Sequence, residues 1–389
     1  MPDAPAPAVD PKDPVALAQA LVRAETTTPD AGAGIGMLEA ALAAAGFRCT
    51  RFDRGGVANL HARFGTRGPV LGFNGHTDVV PTGDPAAWTR PPFSGEIAGG
   101  RLHGCGACDM KSGVAAFVAA ALAWAEGRAA DAPGSVALLI TGDEEGPSED
   151  GTLAILDGMA AAGETLDACV VGEPTSRAAF GDMVKIGRRG SLTARIRAKG
   201  RQGHTAYPDR ALNPLPALAG LCARLAATPL DEGTAHFQPS TLALASMDTG
   251  NPAANVIPAE ARAVLNIRFN DVHTGASLIE WLEREAEAAA AGSGVALSVA
   301  ARISGEAFLT PPGPLSDALA AAVEAETGRR PELSTSGGTS DARFVKAICP
   351  VAEFGLTGTS MHQTDEWAAV EEIEALARVY GRVIAAMVG

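Results

Sequence analysis

Four short apolar segments recur along the chain, and each is followed at once by glycine and polar residues. They cover residues 70–73, 136–140, 168–171 and 351–356. Their apolar positions do not alternate with polar ones, which is typical of strands buried on both faces, as in a parallel sheet covered by helices. The pattern therefore predicts an α/β fold with a mostly parallel central sheet flanked by helices.

Helical patterns lie around these segments. Asp13 followed by Pro14 is a typical N-cap and first helical residue, and it opens an alanine-rich helix. Ser112 is predicted to cap a helix over residues 113–124. Residues 315–326 carry apolar side chains at helical spacing before a glycine. Strands and helices thus follow one another as an α/β fold requires.

The middle of the chain has a different pattern, with apolar and polar residues alternating as in strands that have one solvent-exposed face. The segments of this part are strands at 191–199 and 264–269 and helices at 214–226 and 276–291. We therefore expect a separate α+β unit at residues 189–299. It would be inserted into a discontinuous domain formed by residues 1–188 and 300–389.

Length and charge limit the classes of protein. The chain has 389 residues, enough for two domains, and 47% of them are hydrophobic, which excludes wholesale disorder. Its net charge of −14 argues against nucleic acid or an anionic membrane as a partner. We expect its main partner to be a small-molecule substrate.

The location is predicted from apolar runs and cysteines. We find no charge-free run of about 18 apolar residues, and the first 14 residues lack a basic segment followed by an apolar one. Neither a membrane span nor a secretory signal is therefore expected. The six cysteines are scattered, which suits reduced thiols better than a disulfide framework. We expect a soluble, cytoplasmic protein.

Candidate metal ligands follow each of the four apolar segments: His76 and Asp78 the first, Glu144 and Glu145 the second, Glu173 the third, and His362 the fourth. Because ligands of open α/β sheets gather at the carboxyl ends of the strands, these side chains are expected to converge on one site. Asp109, just before a predicted helix, can join them. Any one of these residues also fits an ordinary role, as a loop histidine or a solvated acid, so the prediction depends on their convergence.

The residue types suggest the chemistry. Two divalent cations about 3.5–4 Å apart need a bridging carboxylate and at least one histidine and one carboxylate each. A set of His, Asp and Glu without thiolates suits catalytic zinc, and cobalt or manganese also fit. A further acid could take a proton from water, and Asp78 could accept the N–H of His76.

Ten segments resemble the dinuclear zinc aminoacylase and carboxypeptidase G2 superfamily. They are GHTDVVPTGD (75–84), HGCGACDMKSG (103–113), TGDEEGP (141–147), GEPT (172–175), GDMVKIGRRGS (181–191), GRQGHTAYP (200–208), NVIPAEAR (255–262), NIRFND (266–271), STSGGTSDARF (334–344) and MHQTDE (361–366). They span most of the chain. The last six are the most specific, and they resemble the branch that hydrolyses N-succinyl-LL-2,6-diaminopimelate.

The resemblance implies a zinc aminopeptidase-like catalytic domain with an inserted lid and dimerisation domain. The implied ligands are His76 and Glu173 for one Zn²⁺, His362 and Glu145 for the other, and Asp109 as the bridge. Glu144 would be the general base and acid, and His204 would reach the active site of the other subunit in a homodimer. Asp78 is counted as a third catalytic residue because it could fix the tautomer of His76. The implied substrate-binding residues are Arg188, Ser191, Tyr207, Asn255, Arg268, Gly338 and Thr339.

The implied reaction yields succinate and LL-2,6-diaminopimelate for lysine and cell-wall precursor synthesis. Two alternatives remain open: a deacylase of N-acetylornithine or another N-acyl amino acid, and an acidic metal-binding scaffold without activity. The chain departs from the family pattern at Cys105, where arginine is expected, at Ser112, where glycine is expected, and at Asp209, where histidine is common. Cys105 and Cys108 form a lone C-x-x-C, which we interpret as small buried side chains.

Overall fold

The computed structural model describes residues 9–389. Residues 1–8, part of the N-terminal stretch in which no secretory signal is expected, lie outside the described residues. Within the described part, helices α1–α9 are Pro14–Arg23, Gly32–Ala44, Ser112–Ala125, Thr152–Ala162, Leu215–Ala227, Gly275–Ala290, Pro314–Thr327, Ala342–Val345 and Val370–Val388. Strands β1–β19 are Arg48–Arg51, Asn59–Phe64, Val70–His76, Glu96–Ala98, Arg101–His103, Ser135–Thr141, Ala168–Val171, Met183–Lys185, Gly187–Arg188, Gly190–Lys199, Gly203–His204, Thr241–Asp248, Val256–Ile257, Glu260–Phe269, Ala296–Gly305, Phe308–Leu309, Glu332–Ser334, Val351–Glu353 and Trp367–Ala369.

The largest sheet has eight strands in the order β1-β2-β6-β3-β7-β18-β8-β17. The four strands predicted from the apolar segments, β6, β3, β7 and β18, lie side by side in its centre and are parallel to one another. Strands β1 and β2 extend the sheet in the antiparallel sense. The predicted α/β fold with a mostly parallel central sheet is confirmed.

Burial explains the apolar composition of these strands. Every residue of β3 and β6 is buried. Helix α3 is buried along nearly its whole length, since its side chains are small or apolar. The segment Ala107–Ala125 is long and apolar enough to cross a membrane, but 89% of its most apolar window is buried within the protein. That degree of burial is what a core helix shows.

The two predicted helix starts differ in outcome. The Asp13 carboxylate accepts the N–H groups of Val15 and Ala16 at 2.9 and 3.1 Å, as an N-cap does. The prediction that Ser112 caps α3 is wrong. Ser112 is itself helical (φ −72°, ψ −33°), because the wide turn Ala107–Lys111 leads directly into the helix, and its hydroxyl has no hydrogen-bond partner among the described residues.

The chain divides into two compact units. Unit one contains the described chain up to Ile186, Thr310–Ser334 and Ser340–Gly389, and unit two contains Gly187–Leu309 and Thr335–Thr339. Unit two extends beyond the predicted 189–299 because β16 pairs with β9. The Arg188 guanidinium also donates to the Gly338 carbonyl at 2.8 Å, which ties the short return segment to it.

Unit two is built on an antiparallel sheet in the order β12-β14-β10-β15. Along β10 and β14, buried residues of the inner face alternate with more exposed residues of the outer face, as the sequence pattern indicates. Leu192 and Leu265 from the sheet pack with Leu221 of α5 and Leu282 of α6 in one apolar cluster. Strand β12 is an edge strand and is exposed at most of its positions.

Candidate metal centre

The strands that lead to three of the predicted ligand positions end at the same edge of the central sheet. His76 is the last residue of β3 and pairs with Thr141, the last residue of β6, in the parallel register. The loop that carries Glu144 and Glu145 therefore starts level with His76. Glu173 follows the end of β7, the neighbour of β3 on its other side, by two residues. Adjacent parallel strands thus deliver these side chains to one place.

Asp109 lies between the two histidines. Its Oδ1 is 3.2 Å from Nε2 of His76, and its Oδ2 is 3.3 Å from Nε2 of His362. Nε2 of His362 is also 2.7 Å from Oε1 of Glu145. One carboxylate therefore faces two imidazoles through its two oxygens, which is the arrangement that a bridging ligand requires.

Two overlapping groups of ligand atoms form around His76. The ligand atoms of His76, Asp109 and Glu145 lie within 4.8 Å of one another, and so do those of His76, Glu144 and Glu173. Burial, followed by the charge of Glu173, raises the pKa of Glu144 well above its usual value. Since crowded carboxylates and imidazoles of this kind are stabilised by cations, the residues fit a pair of divalent metal ions.

The two histidines differ in exposure. The side chain of His76 is 1% exposed, whereas that of His362 is 47% exposed. Hydrogen bonds with Asp109 and Glu145 raise the pKa of His362 to about 10. Burial opposes ionisation of Asp109, but its hydrogen bonds with His362 and His76 outweigh burial and lower its pKa. His362 therefore marks the solvent-facing side of the group.

Asp78 has a different contact from the one predicted. Nδ1 of His76 donates to the backbone carbonyl of Asp78 at 2.9 Å, and the Asp78 carboxylate is 3.6 Å away, beyond hydrogen-bond distance. That carboxylate, which is fully buried, accepts the backbone N–H groups of Glu144 at 3.3 Å and Glu145 at 3.0 Å. The backbone rather than the side chain of Asp78 orients the imidazole, and the side chain holds the Glu144–Glu145 loop.

In unit two, His204 and Asn255 belong to neighbouring strand ends. The N–H of Thr205 donates to the Asn255 carbonyl at 3.0 Å, beside the pairing of β11 with β13. His204 is exposed, and Tyr207 is 54% exposed with its ring centroid 5.8 Å from that of His204. This small two-stranded element therefore presents both rings to its surroundings.

The other predicted substrate residues of unit two cluster at one end of β10 and β14. Ser191 lies opposite Arg268 in the antiparallel register. Arg188 is 6% exposed and contacts Gly338, and Thr339 follows Gly338 in the return segment. The structure thus brings Arg188 to Gly338 and Ser191 to Arg268.

Arg189 lies in the chain between Arg188 and Ser191 of this group, and the sequence does not place it among the predicted substrate residues. Burial, followed by the positive charge of Arg189, lowers the pKa of Arg268. Nε of Arg189 is buried and has no hydrogen-bond partner among the described residues. The signal in the sequence is the Arg188–Arg189 doublet within GDMVKIGRRGS.

The cysteines are free thiols at all six positions, each within the described residues. Burial raises the pKa of Cys105 to about 12 and that of Cys108 well above its usual value. Because the thiolate is the reactive form, the C-x-x-C segment is not set up for redox chemistry. Cys105 and Cys108 are small buried side chains beside the Asp109 turn.

Comparison with known proteins gives the class. Residues 72–386 match peptidase family M20/M25/M40, and the chain belongs to this family of metal-dependent hydrolases. The family predicted from the sequence is confirmed.

Two curated relatives share more than half of their aligned residues with this chain. The chain is 61% identical to a succinyl-diaminopimelate desuccinylase of Cereibacter sphaeroides over 376 residues, which cover 96% of this chain and 98% of the relative. It is 57% identical to a protein of that name from Ruegeria pomeroyi over 374 residues, again covering 96% and 98%.

Solved structures share the fold at low sequence identity. Aminopeptidase PepT of Bacillus cereus matches with a TM-score of 0.77 and 18% identity, covering 97% of this chain and 99% of that one. The YXEP protein of Bacillus subtilis, described as a dinuclear metal binding peptidase, matches with a TM-score of 0.74 and 16% identity, covering 96% and 97%.

Proposed function

We propose that this chain hydrolyses the amide bond of N-succinyl-LL-2,6-diaminopimelate to succinate and LL-2,6-diaminopimelate, in lysine and diaminopimelate biosynthesis. The observation that carries the proposal is Asp109 held between His76 and His362, with Glu144 in a second group of ligand atoms that shares His76. The names of relatives that are 57–61% identical over 96% of the chain support the substrate.

Two Zn²⁺ ions would occupy the centre, with Co²⁺ or Mn²⁺ as possible substitutes. The ligands would be His76 and Glu173 for one ion, His362 and Glu145 for the other, and Asp109 as the bridge. When bound, such a pair polarises the amide carbonyl and makes water a stronger nucleophile at neutral pH.

Glu144 would move the proton. Its carboxylate lies with His76 and Glu173 in one group of ligand atoms, close enough to act on a water molecule there. Positive charge bound in the site would offset the repulsion by Glu173 and favour the carboxylate form of Glu144, which accepts the proton of the attacking water. The same carboxyl group would then give the proton to the leaving amine.

The arginines of unit two favour a substrate rich in carboxylates. The positive charge of Arg189 lowers the pKa of Arg268 by repulsion. In addition, Nε of Arg189 has no hydrogen-bond partner among the described residues. An anion would offset the repulsion between these two partly buried guanidinium groups, and each can bind a carboxylate through two parallel hydrogen bonds. A succinyl group supplies such a carboxylate, and an acetyl group does not.

The substrate assignment is tested by comparing turnover of N-succinyl-LL-2,6-diaminopimelate with that of N-acetylornithine, with metal per chain measured in the same preparation. We expect kcat/KM for the succinylated substrate to exceed that for the acetylated one by at least about 10³-fold, since the acetyl group leaves partly buried guanidinium groups unpaired. Equal turnover would identify a general N-acyl amino acid deacylase. No turnover of either at full metal occupancy would favour the non-catalytic scaffold.

A second measurement uses Arg189. The variant Arg189→Ala is expected to raise KM for the succinylated substrate about tenfold or more, because a charge-assisted contact is lost. Arg195→Ala, which removes an exposed arginine of β10, serves as the matched control and should leave KM unchanged. An unchanged KM in Arg189→Ala would remove this residue from the substrate site.

We infer a homodimer formed through unit two, in which His204 acts on the active site of the other subunit. The edge strand β12 exposes Leu244 at 40% and Met247 at 45%, which supports this unit as the interface. The backbone N–H of Ala206 donates to Nδ1 of His204 at 3.0 Å, so the ring proton lies on Nε2. That proton is the donor that a developing oxyanion needs.

His204→Ala is therefore expected to lower kcat by about 10²-fold, a typical loss for one oxyanion donor, with metal content unchanged. His236→Ala, at another exposed histidine of unit two, is the control and should keep full activity. Loss of metal from His204→Ala would show that His204 is a ligand and not an oxyanion donor.

The cytoplasm is the proposed location. The reaction is biosynthetic, and six free cysteines are compatible with a reducing compartment.

A further inference from the structure

A buried carboxylate outside the predicted ligand set connects two parts of the candidate metal centre. Glu366 is 2% exposed and lies four residues after His362. Its Oε1 accepts the backbone N–H groups of Cys108 at 2.8 Å and Asp109 at 3.0 Å, and its Oε2 accepts that of Gly106 at 2.9 Å. Both carboxylate oxygens are therefore used by the turn that carries Asp109.

The backbone of Glu366 adds a fourth contact to the same turn. Its carbonyl oxygen accepts the N–H of Gly104 at 2.9 Å. Hydrogen bonds to Glu366 thus hold the backbone between Gly104 and Asp109 at four positions, and Glu366 belongs to the same segment as His362. Because the two oxygens of Asp109 face His76 and His362 separately, a rotation of this turn would move one oxygen away from its imidazole.

We propose that Glu366 is a positioning residue that sets Asp109 as the bridge between the two cations. The contacts that carry this inference are with backbone N–H groups of the Asp109 turn, so Glu366 acts through that backbone. The inference rests on the metal centre of the proposed function but is independent of the substrate.

The chemistry of the contacts requires a carboxylate at this position. Three N–H donors converge on the side chain, and a carboxylate offers acceptor lone pairs on both oxygens. A glutamine would keep one oxygen for Cys108 and Asp109, but its NH₂ group would face the N–H of Gly106, donor against donor. The turn would then lose its hydrogen bond at Gly106, and the two oxygens of Asp109 would no longer face His76 and His362 at the same time.

The test is a Co²⁺ titration of the full-length protein, followed by the visible absorption of the bound cobalt and by competition with a chelator. We expect two Co²⁺ per chain in the unaltered protein. In Glu366→Gln the affinity at one or both positions should fall about 10–100-fold, with an altered cobalt spectrum, as is typical when a residue behind a ligand is replaced.

Asp182→Asn is the matched control. The Asp182 carboxylate also accepts three backbone N–H groups, those of Arg177, Ala178 and Ala179 at 2.7–3.1 Å, but this turn carries none of the predicted ligands. Its cobalt affinity and spectrum should stay unchanged. Glu366→Asp, which keeps the charge but shortens the side chain, should show a smaller loss than Glu366→Gln and provides the measurement if Glu366→Gln does not fold.

Each result decides the proposal. Unchanged cobalt affinity and spectrum in the folded Glu366 variants would overturn it, and so would a loss of the same size in Asp182→Asn. Failure of the unaltered protein to bind a second Co²⁺ would also overturn it, because no bridge would then be needed. If the protein binds two Co²⁺ but hydrolyses no N-acyl substrate, the proposed function fails and the role of Glu366 stands.

Discussion

Replacing Glu144 by glutamine is expected to lower kcat by about 10²–10⁴-fold, the usual contribution of a general acid–base residue. Glutamine has nearly the same shape but neither accepts a proton from water nor returns one to the leaving amine. Metal content should not change, because the five predicted ligands are other residues. Steady-state kinetics together with metal analysis of the same sample measure both effects.

Glu149→Gln is the matched control for this variant. Glu149 lies on the same loop, its side chain is exposed, and it is not among the grouped ligand atoms. It should keep the activity of the unaltered protein. Near-normal kcat in Glu144→Gln would reject Glu144 as the base, and loss of metal in that variant would make Glu144 a ligand instead.

Removal of the metal is expected to abolish activity, by at least about 10³-fold, and addition of Zn²⁺ or Co²⁺ to restore it. Without the cations, the amide carbonyl is not polarised and water stays a poor nucleophile, since its pKa is 15.7 rather than about 7. Burial and the charge of Glu173 also raise the pKa of Glu144, which disfavours its base form. Dialysis against a strong chelator, followed by titration with each ion, measures the effect.

Circular dichroism of the dialysed protein separates loss of metal from loss of fold. A folded sample that regains activity with two ions per chain supports the two-ion centre. Activity that survives the chelator, in a sample shown to contain no metal, would exclude this mechanism.

The sheet and the order of its polar loops could be predicted from the sequence because both depend on local patterns. An unbroken apolar segment such as 168–171 indicates a strand buried on both faces, and the structure has a strand at those residues. Parallel strands all end at one edge, so residues that follow different strands can be assigned to one place. Glu145 and His362, which are 217 positions apart, were expected together on this ground and lie 2.7 Å apart.

Other contacts depend on backbone geometry that single residues do not reveal. The sequence contains Asp78 two positions after His76, but whether its carbonyl or its carboxylate meets the ring depends on the turn between them. The limits of unit two depend on the pairing of β16 with β9, between residues more than 100 positions apart. The wide turn before α3 likewise made Ser112 part of the helix and not its cap.

The position of β18 has a consequence for the newly made polypeptide. This strand lies between β7 and β8 in the sheet, yet a ribosome adds it, like His362, only after the whole of unit two. Until then one side of β7 has no neighbour, and an unpaired strand edge invites pairing with other chains. Chaperones that shield such an edge should therefore matter most before residue 351, and any metal site that includes His362 would be completed only late in biogenesis.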